Sequence, residues 1–268
     1  MQAPKLVATD VDGTLLDPDD RVPPRVAAVI GRLVAAGVGF ALVTGRPPRW
    51  IPEVANQVPE VGLVVCANGS VLYDAAADRV VWSRALDPVA LAELAAGVDE
   101  ALPGCRIAVE RVPTSAADGR PFVAEPEYRH AWPSGSDIVA ERAEVLSQPA
   151  VKLLVRNPEL SSDAMVAVLG PKLGHAADLT FSTGRGLLEV SPPGVTKATG
   201  LAEVARRHGV DAAQVIAFGD MPNDLEMLRW AGHGVAMGNA HPALLESADE
   251  VTASNGEDGL ALVLERWF

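Results

Sequence analysis

Two short apolar runs in this chain each end in a cluster of acidic residues. Leu6-Val7-Ala8 leads into Asp10-Val11-Asp12-Gly13-Thr14-Leu15, and Val215-Ile216-Ala217-Phe218 leads into Gly219-Asp220-Met221-Pro222-Asn223-Asp224. Apolar runs of this length, bounded by turn residues, read as buried strands. Carboxylates that follow such strands sit at the C-terminal edge of a parallel sheet, where open α/β sheets bind ligands. Two sets of carboxylates converging there repel each other, and their pKa values rise unless a cation lies between them. The chain therefore reads as an α/β protein built to hold a hard metal ion at its strand tips.

The rest of the sequence supplies the alternation that such a sheet requires. Residues 5–9 read as a strand and 23–36 as a helix, opened by Pro23-Pro24 and stopped by Gly37. Strand 38–43, helix 48–58 and strand 63–66 follow, then a hairpin formed by 71–73 and 80–82. Towards the C-terminus come helix 196–208, strand 214–218, helix 225–230, strand 234–237 and helix 259–266. Alternation of this kind implies a doubly wound parallel sheet covered on both faces. The stretch 84–186 departs from it, with helix 88–102, strand 106–110, helix 137–146, strand 151–156, helix 161–173 and short strands to 182. It reads as an inserted α+β domain, so that 1–83 and 187–268 form the core. The Pro-, Gly- and Ser-rich passage 113–136 is long for a loop without structure of its own.

Composition narrows the function classes. At 268 residues the chain is long enough for one or two domains with a substantial core. No apolar stretch approaches the roughly 20 residues of a membrane-spanning helix, and the apolar run after Lys5 is too short for a signal-peptide core. A net charge of −13 argues against sequence-independent binding to nucleic acid or to an anionic membrane. It leaves open a small phosphorylated ligand, because a metal and a few cations reverse the field locally. Cys66 and Cys105 are too few for a disulfide framework; both read as buried apolar residues, and the expected compartment is the reducing cytoplasm.

Asp10 and Asp12 are two residues apart, so an extended backbone sends both side chains from one face. Two carboxylates so placed can divide labour, one ionised at the metal and the other exchanging a proton. Gly13 allows the turn that ends the strand. A solvated acidic turn is the plainer alternative. An EF-hand loop also begins with this spacing, but its obligatory Gly position is Leu15 and its bidentate Glu position is Arg21.

The ordered set D-V-D-G-T-L, V-T-G-R, a single K, then G-D-M-P-N-D resembles the haloacid dehalogenase superfamily of phosphohydrolases. It is most similar to the Cof-type subfamily, whose α/β cap is inserted between the second and third motifs, and the resemblance covers the whole chain. It implies a Rossmann-like core with an inserted α+β cap that closes over the cleft. In that resemblance Asp10 is the nucleophile that forms an aspartyl-phosphate, and Asp12 is the general acid–base. Mg2+ is the implied cofactor, held by Asp10, by Asp12 through its main-chain carbonyl and directly by Asp220, while Asp224 would hold metal-bound water or support Lys197. Thr44, Gly45 and Arg46 would meet the phosphoryl group, and Asn223 would hydrogen-bond in or just outside the metal shell. Each has a plainer reading: a structural Thr at a strand end, a surface ion pair for Arg46, and helix capping for the Asp and Asn residues.

Lys197 carries its own signal. It stands at the start of a helix, where the macrodipole disfavours a cation, so a nearby anion explains it better than solvent does. Asn68-Gly69 follows another strand end and reads first as a turn and second as a substrate contact. Arg120, Glu125, Tyr128, His130 and Trp132 in the inserted stretch are candidates for specificity, with ordinary surface or cap core as the plainer reading. The expected function is a Mg2+-dependent phosphatase acting on a small phosphorylated metabolite, such as a sugar phosphate. A phosphotransferase or phosphomutase of the same superfamily and a non-catalytic phosphometabolite sensor remain the alternatives.

Overall fold

The computed structural model describes residues 2–59, 61–118, 121–131 and 138–268. Among them the chain forms five strands before the insertion: β1 (Leu6–Thr9), β2 (Gly39–Val43), β3 (Leu63–Cys66), β4 (Val71–Asp74) and β5 (Arg79–Ser83). Six follow within it: β6 (Arg106–Arg111), β7 (Phe122–Ala124), β8 (Ile138–Val139), β9 (Ala150–Arg156), β10 (Asp178–Thr180) and β11 (Leu187–Ser191). The last are β12 (Val215–Gly219), β13 (His233–Ala236) and β14 (Glu250–Val251). Two compact units result, one from 1–81 with 196–268 and the other from 82–195.

The first unit is an eight-stranded sheet in the order β14-β13-β12-β1-β2-β3-β4-β5. From β14 to β3 every pairing is parallel, and β4 turns back antiparallel on β3. All four residues of β1 are 0% exposed, so both faces of the central strand are covered, as a parallel sheet demands. Helix Pro24–Ala35 packs on β2 and on the terminal helix Gly259–Leu264, while Lys197–His208 packs on β2 and β3. Helix Leu225–Trp230 covers β12 and β13. The register pairs Thr9 with Phe218, so β1 and β12 end side by side and deliver Asp10 and Asp220 to the same edge.

The second unit is a six-stranded sheet in the order β10-β11-β9-β6-β7-β8, antiparallel except for the β7–β8 pair. Helices Pro88–Ala101 and Ser162–Leu173 are capped by the side chains of Asp87 and Ser161 and pack against each other. Their approach is close at Gly97, where a Cβ would lie 2.5 Å from Leu173 Cδ2. The buried polar pair Lys152 and Glu189 bridges neighbouring strands β9 and β11.

Several expectations need correction. The insertion does not end at 186: β11 pairs antiparallel with β9 and belongs to the second sheet, so the chain re-enters the first unit at Thr196. The helix expected over 137–146 is replaced, from its described residues on, by β8 and then a short helix, Arg142–Val145. Ile138 and Val139 pair with Val123 and Ala124, a ladder that outweighs weak helix propensity in β-branched residues. The expected helix 48–58 is a 3-10 turn, Pro48–Trp50, running into Ile51–Ala55. The passage 113–136 contains β7, whose three buried residues pair with β6.

Candidate active site

At the tip of β1 the Asp10 amide donates to Phe218 O at 3.0 Å, which carries the parallel ladder one residue past the strand. The backbone then turns through Asp12 (ψ 124°) and Gly13 (φ 76°), and Leu16 N closes the turn on Val11 O at 3.0 Å. Gly13 is required twice over. Its φ is left-handed, and a Cβ there would lie 2.3 Å from Asp220 Oδ2. The loop after β1 and the loop after β12 therefore touch. Thr14 Oγ1 donates to Asp220 Oδ1 at 2.9 Å, and Asn239 Nδ2 donates to Gly13 O at 2.8 Å.

Lys197 opens helix Lys197–His208, whose Thr196 cap bonds reciprocally with Thr199. Its side chain is 0% exposed, and Nζ lies 2.8 Å from Asp10 Oδ1 and 2.6 Å from Asp224 Oδ1. Burial alone would lower the ammonium's pKa, but Asp10 and Asp224 more than offset that and hold it above its ordinary value. The unfavourable helix dipole is thus answered by two carboxylates. Asp224 is anchored on its other oxygen, which accepts from the amides of Asp220 and Met221 at 3.1 Å each.

Asp10, Asp220 and Asp224 are all buried, and one carboxylate oxygen from each lies within 4.8 Å of the others. Burial first and Asp224 second push the Asp10 carboxyl well above the usual carboxylate range, against the pull of Lys197. Burial and Asp224 likewise push Asp220 up to about 7, against the hydrogen bond from Thr14. One lysine does not neutralise three carboxylates. An all-oxygen donor set with this excess negative charge fits a hard divalent cation such as Mg2+.

Thr44 ends β2 in a buried position, its amide bonded to Val65 O at 2.8 Å. Its hydroxyl accepts from Arg46 N at 3.0 Å across Gly45 and keeps its proton for another acceptor. Arg46 reaches back to Asp12 in a fork, with Nη2 2.6 Å from Oδ1 and Nε 2.9 Å from Oδ2. The Asp12 carboxylate is half-exposed and lies outside the buried trio, turned instead to Arg46.

The turn Ala67-Asn68-Gly69 links these parts. Ala67 and Asn68 are both left-handed, at φ 50° and 55°, and Gly69 follows at 100°. For Ala67 this conformation costs about 1–3 kcal/mol, whereas asparagine adopts it more readily. The strain is held by bonds to the Thr44 loop, Ala67 N to Arg46 O and Asn68 N to Thr44 O, both 3.0 Å. Gly69 abuts Thr196, where a Cβ would lie 2.0 Å from its carbonyl oxygen, and so allows the Lys197 helix to start there. Asn223 Nδ2 donates to Asn68 Oδ1 at 3.1 Å.

The sequence-predicted residues Asp10, Asp12, Thr44, Gly45, Arg46, Lys197, Asp220, Asn223 and Asp224 therefore come from strand-end loops and one helix start at one edge of the first sheet. Thr14 and Asn239 join the same cluster through their bonds to Asp220 and Gly13 and were not among the sequence-predicted residues. Thr14 lies inside the first motif, where its place after Gly13 was the available signal; Asn239 has none, being 226 residues from its partner. Among the specificity candidates, Glu125 is buried and accepts from Ile107 N at 2.7 Å, a bond between β6 and the end of β7. Tyr128 and His130 pack around Phe122, with ring centroids 5.9 and 4.8 Å from it. Tyr128 and His130 are half-buried, and Tyr128 packs on the cluster of Ala108, Phe122, Ala124, Leu154 and Leu187. Arg120 and Trp132 lie outside the described residues.

Comparison with known proteins identifies the family. A family model for haloacid dehalogenase-like hydrolases matches residues 7–264. A 5-amino-6-(5-phospho-D-ribitylamino)uracil phosphatase of Bacillus subtilis is 29% identical over 99% of this chain and 98% of its own length. An HMP-PP phosphatase of Serratia proteamaculans is 31% identical, covering 98% and 95%. A haloacid dehalogenase-like hydrolase from Bacteroides thetaiotaomicron superposes with a TM-score of 0.74 at 25% identity, over 99% of this chain and 100% of that one. A subclass IIB sugar phosphatase of the same superfamily shares the fold with a TM-score of 0.79 at 20% identity, over 98% of both chains. With an α/β core, an inserted unit and a carboxylate–lysine site at the strand tips, the chain belongs to the haloacid dehalogenase-like hydrolase family, Cof type, and is a phosphoric monoester hydrolase.

Proposed function

We propose that the chain is a Mg2+-dependent phosphatase that hydrolyses a small phosphorylated metabolite, of the sugar phosphate class, through a phosphorylated Asp10. The observation that carries this reading is the Asp10 carboxylate, buried, bonded on one oxygen by Lys197 at 2.8 Å, and clustered with Asp220 and Asp224. A carboxylate so placed has one oxygen held and the other available to a phosphorus atom. The two phosphatase relatives act, by their names, on phosphorylated small molecules.

In the first half-reaction an Asp10 oxygen bonds to phosphorus as the bond to the leaving oxygen breaks. Asp12 gives that oxygen its proton, so an alcohol departs rather than an alkoxide. Arg46 holds the Asp12 carboxylate by two points and fixes its direction. Arrival of a phosphoryl dianion offers the guanidinium a competing partner, and Asp12, released from Arg46, takes up from solvent the proton that it passes to the leaving oxygen. In the second half-reaction Asp12 takes a proton from water as the water oxygen bonds to phosphorus, and Asp10 leaves as the free carboxylate. Thr44 Oγ1 and the Lys197 ammonium donate to phosphoryl oxygens, where charge is concentrated. Bound Mg2+, held by Asp10, Asp220 and Asp224, would neutralise the cluster and draw charge from the transferring group.

Two measurements test the reading. A phosphate-release screen with Mg2+ over sugar phosphates, nucleotides and phosphorylated cofactors should find a preferred monoester. Acid quench during turnover, followed by borohydride reduction, should convert residue 10 to homoserine. Steady turnover with no homoserine at that position would exclude the covalent route.

A further inference from the structure

Asn223 is buried, 6% exposed, in the short turn Pro222–Asp224, directly before Asp224 of the carboxylate cluster. Its amide nitrogen donates to Asn68 Oδ1 at 3.1 Å, while its Oδ1 is buried and meets no hydrogen-bond donor among the described residues. A buried acceptor left in this condition is destabilising unless a donor arrives with a ligand. An amide can turn over and exchange its ends, so something must keep the oxygen, rather than the NH2 group, as the end left open. Asn68 does this. The bond occupies the nitrogen end of Asn223, and Asn68 is itself fixed in a left-handed turn tied to Thr44 O.

We propose that Asn68 is a positioning residue whose side-chain oxygen orients the Asn223 amide, reserving Asn223 Oδ1 as the acceptor for a water carried by the divalent cation. Mg2+ dehydrates reluctantly and keeps several waters when protein-bound, and each bound water presents two O–H donors. Orienting such a water restricts the cation without adding a charge to an already crowded cluster. Left-handed geometry at position 68 suits asparagine, which tolerates this region and carries an acceptor.

The inference rests on the proposed cation site, and one set of calorimetric titrations with Mg2+ alone separates the two. Asn68→Gly suits the positive φ and removes the acceptor with the rest of the side-chain amide; Asn68→Asp can only accept and so preserves the direction of the bond. Asn68→Gly should weaken Mg2+ binding about 3- to 10-fold, the loss of one hydrogen bond, whereas Asn68→Asp, which keeps the acceptor and adds a negative charge, should bind Mg2+ no more weakly than the unmodified protein. In an Asn223→Ala background, Asn68→Gly should have no further effect, because the coupling runs through Asn223. Unchanged Mg2+ binding in Asn68→Gly, or an equal loss in the Asn223→Ala background, overturns the role of Asn68 alone. No Mg2+ binding by the unmodified protein overturns the cation site itself.

Discussion

Lys197 Nζ stands 2.8 Å from Asp10 Oδ1, with both side chains buried, although the residues lie on opposite sides of the insertion. This pair couples stability to chemistry. Removing one partner leaves an uncompensated buried charge, which costs about 3–5 kcal/mol. Lys197→Ala should therefore lower the unfolding free energy by about that amount in the absence of divalent cations. It should also reduce kcat by about 100- to 1000-fold, as the loss of a charge-stabilising donor does. Urea titration in EDTA and steady-state kinetics in Mg2+ measure the two effects.

The two carboxylates of the first motif should differ in how they fail. Asp10→Asn removes the attacking oxygen anion and should abolish turnover, while the amide still fills the space of the carboxylate. Asp12→Asn should reduce kcat by about 100- to 10,000-fold for an alkyl phosphate. Its effect on the first step should be much smaller for p-nitrophenyl phosphate, whose leaving group needs little protonation. Single-turnover kinetics with the two substrates read this difference; an equal loss of the p-nitrophenolate burst and of alkyl phosphate cleavage would remove the proton-transfer role from Asp12.

Metal removal is a separate test. Activity should be lost in EDTA and return with Mg2+. Asp220→Asn should weaken Mg2+ binding by at least about 10-fold, since even outer partners of a metal site commonly matter that much. Activity that persists in EDTA would exclude the cation from the reaction.

Gly13→Ala should be more damaging than its size suggests. The added methyl group meets Asp220 Oδ2 at 2.3 Å in a backbone with φ 76°. We expect a loss of about 1–3 kcal/mol from the backbone alone, together with weakened Mg2+ binding because Asp220 must move. Thermal denaturation with and without Mg2+ should show the Mg2+-induced rise in Tm shrinking in the variant.

The edge of the first sheet carries an acid-sensitive contact. Arg266, and less strongly His233, hold the Glu250 carboxyl below its usual range through contacts of 2.5 to 3.0 Å. A depressed carboxyl pKa contributes stability that is fully present above the unfolded value, about 4.3, and is lost as pH falls through the lower folded value. Arg266→Gln should therefore be less stable at pH 7, by up to about 1 kcal/mol for so exposed an arginine. The difference should vanish when both proteins are protonated at position 250. Urea midpoints of the two proteins between pH 7 and pH 3 check the sign.

What could be read without the fold follows from what is local. Leu6–Thr9 and Val215–Gly219 announce themselves because a parallel strand buried on both faces needs an unbroken apolar run. The acidic residues directly after them are then placed at the strand tips by chain connectivity alone. Lys197 was legible for a similar reason, since a cation at a helix start conflicts with the dipole and calls for an anion. By contrast β11 was missed because Glu189 interrupts its apolar pattern. That glutamate is buried only because Lys152 stands on the adjacent strand. The two-residue strand β8 has too few positions to show any period.

Sequence alone determined that carboxylates, a lysine and a threonine end at one sheet edge, because each follows or opens an element whose direction is set by hydrophobic pattern. Only the tertiary structure decided which of them meet. Asp12 turns to Arg46 rather than to the carboxylate trio, and Asn223 turns its nitrogen to Asn68, 155 residues away. Asp220 approaches so near Gly13 that no side chain fits between them. Distances of this kind depend on strand register and loop closure across the whole sheet, and no local window of sequence contains both partners.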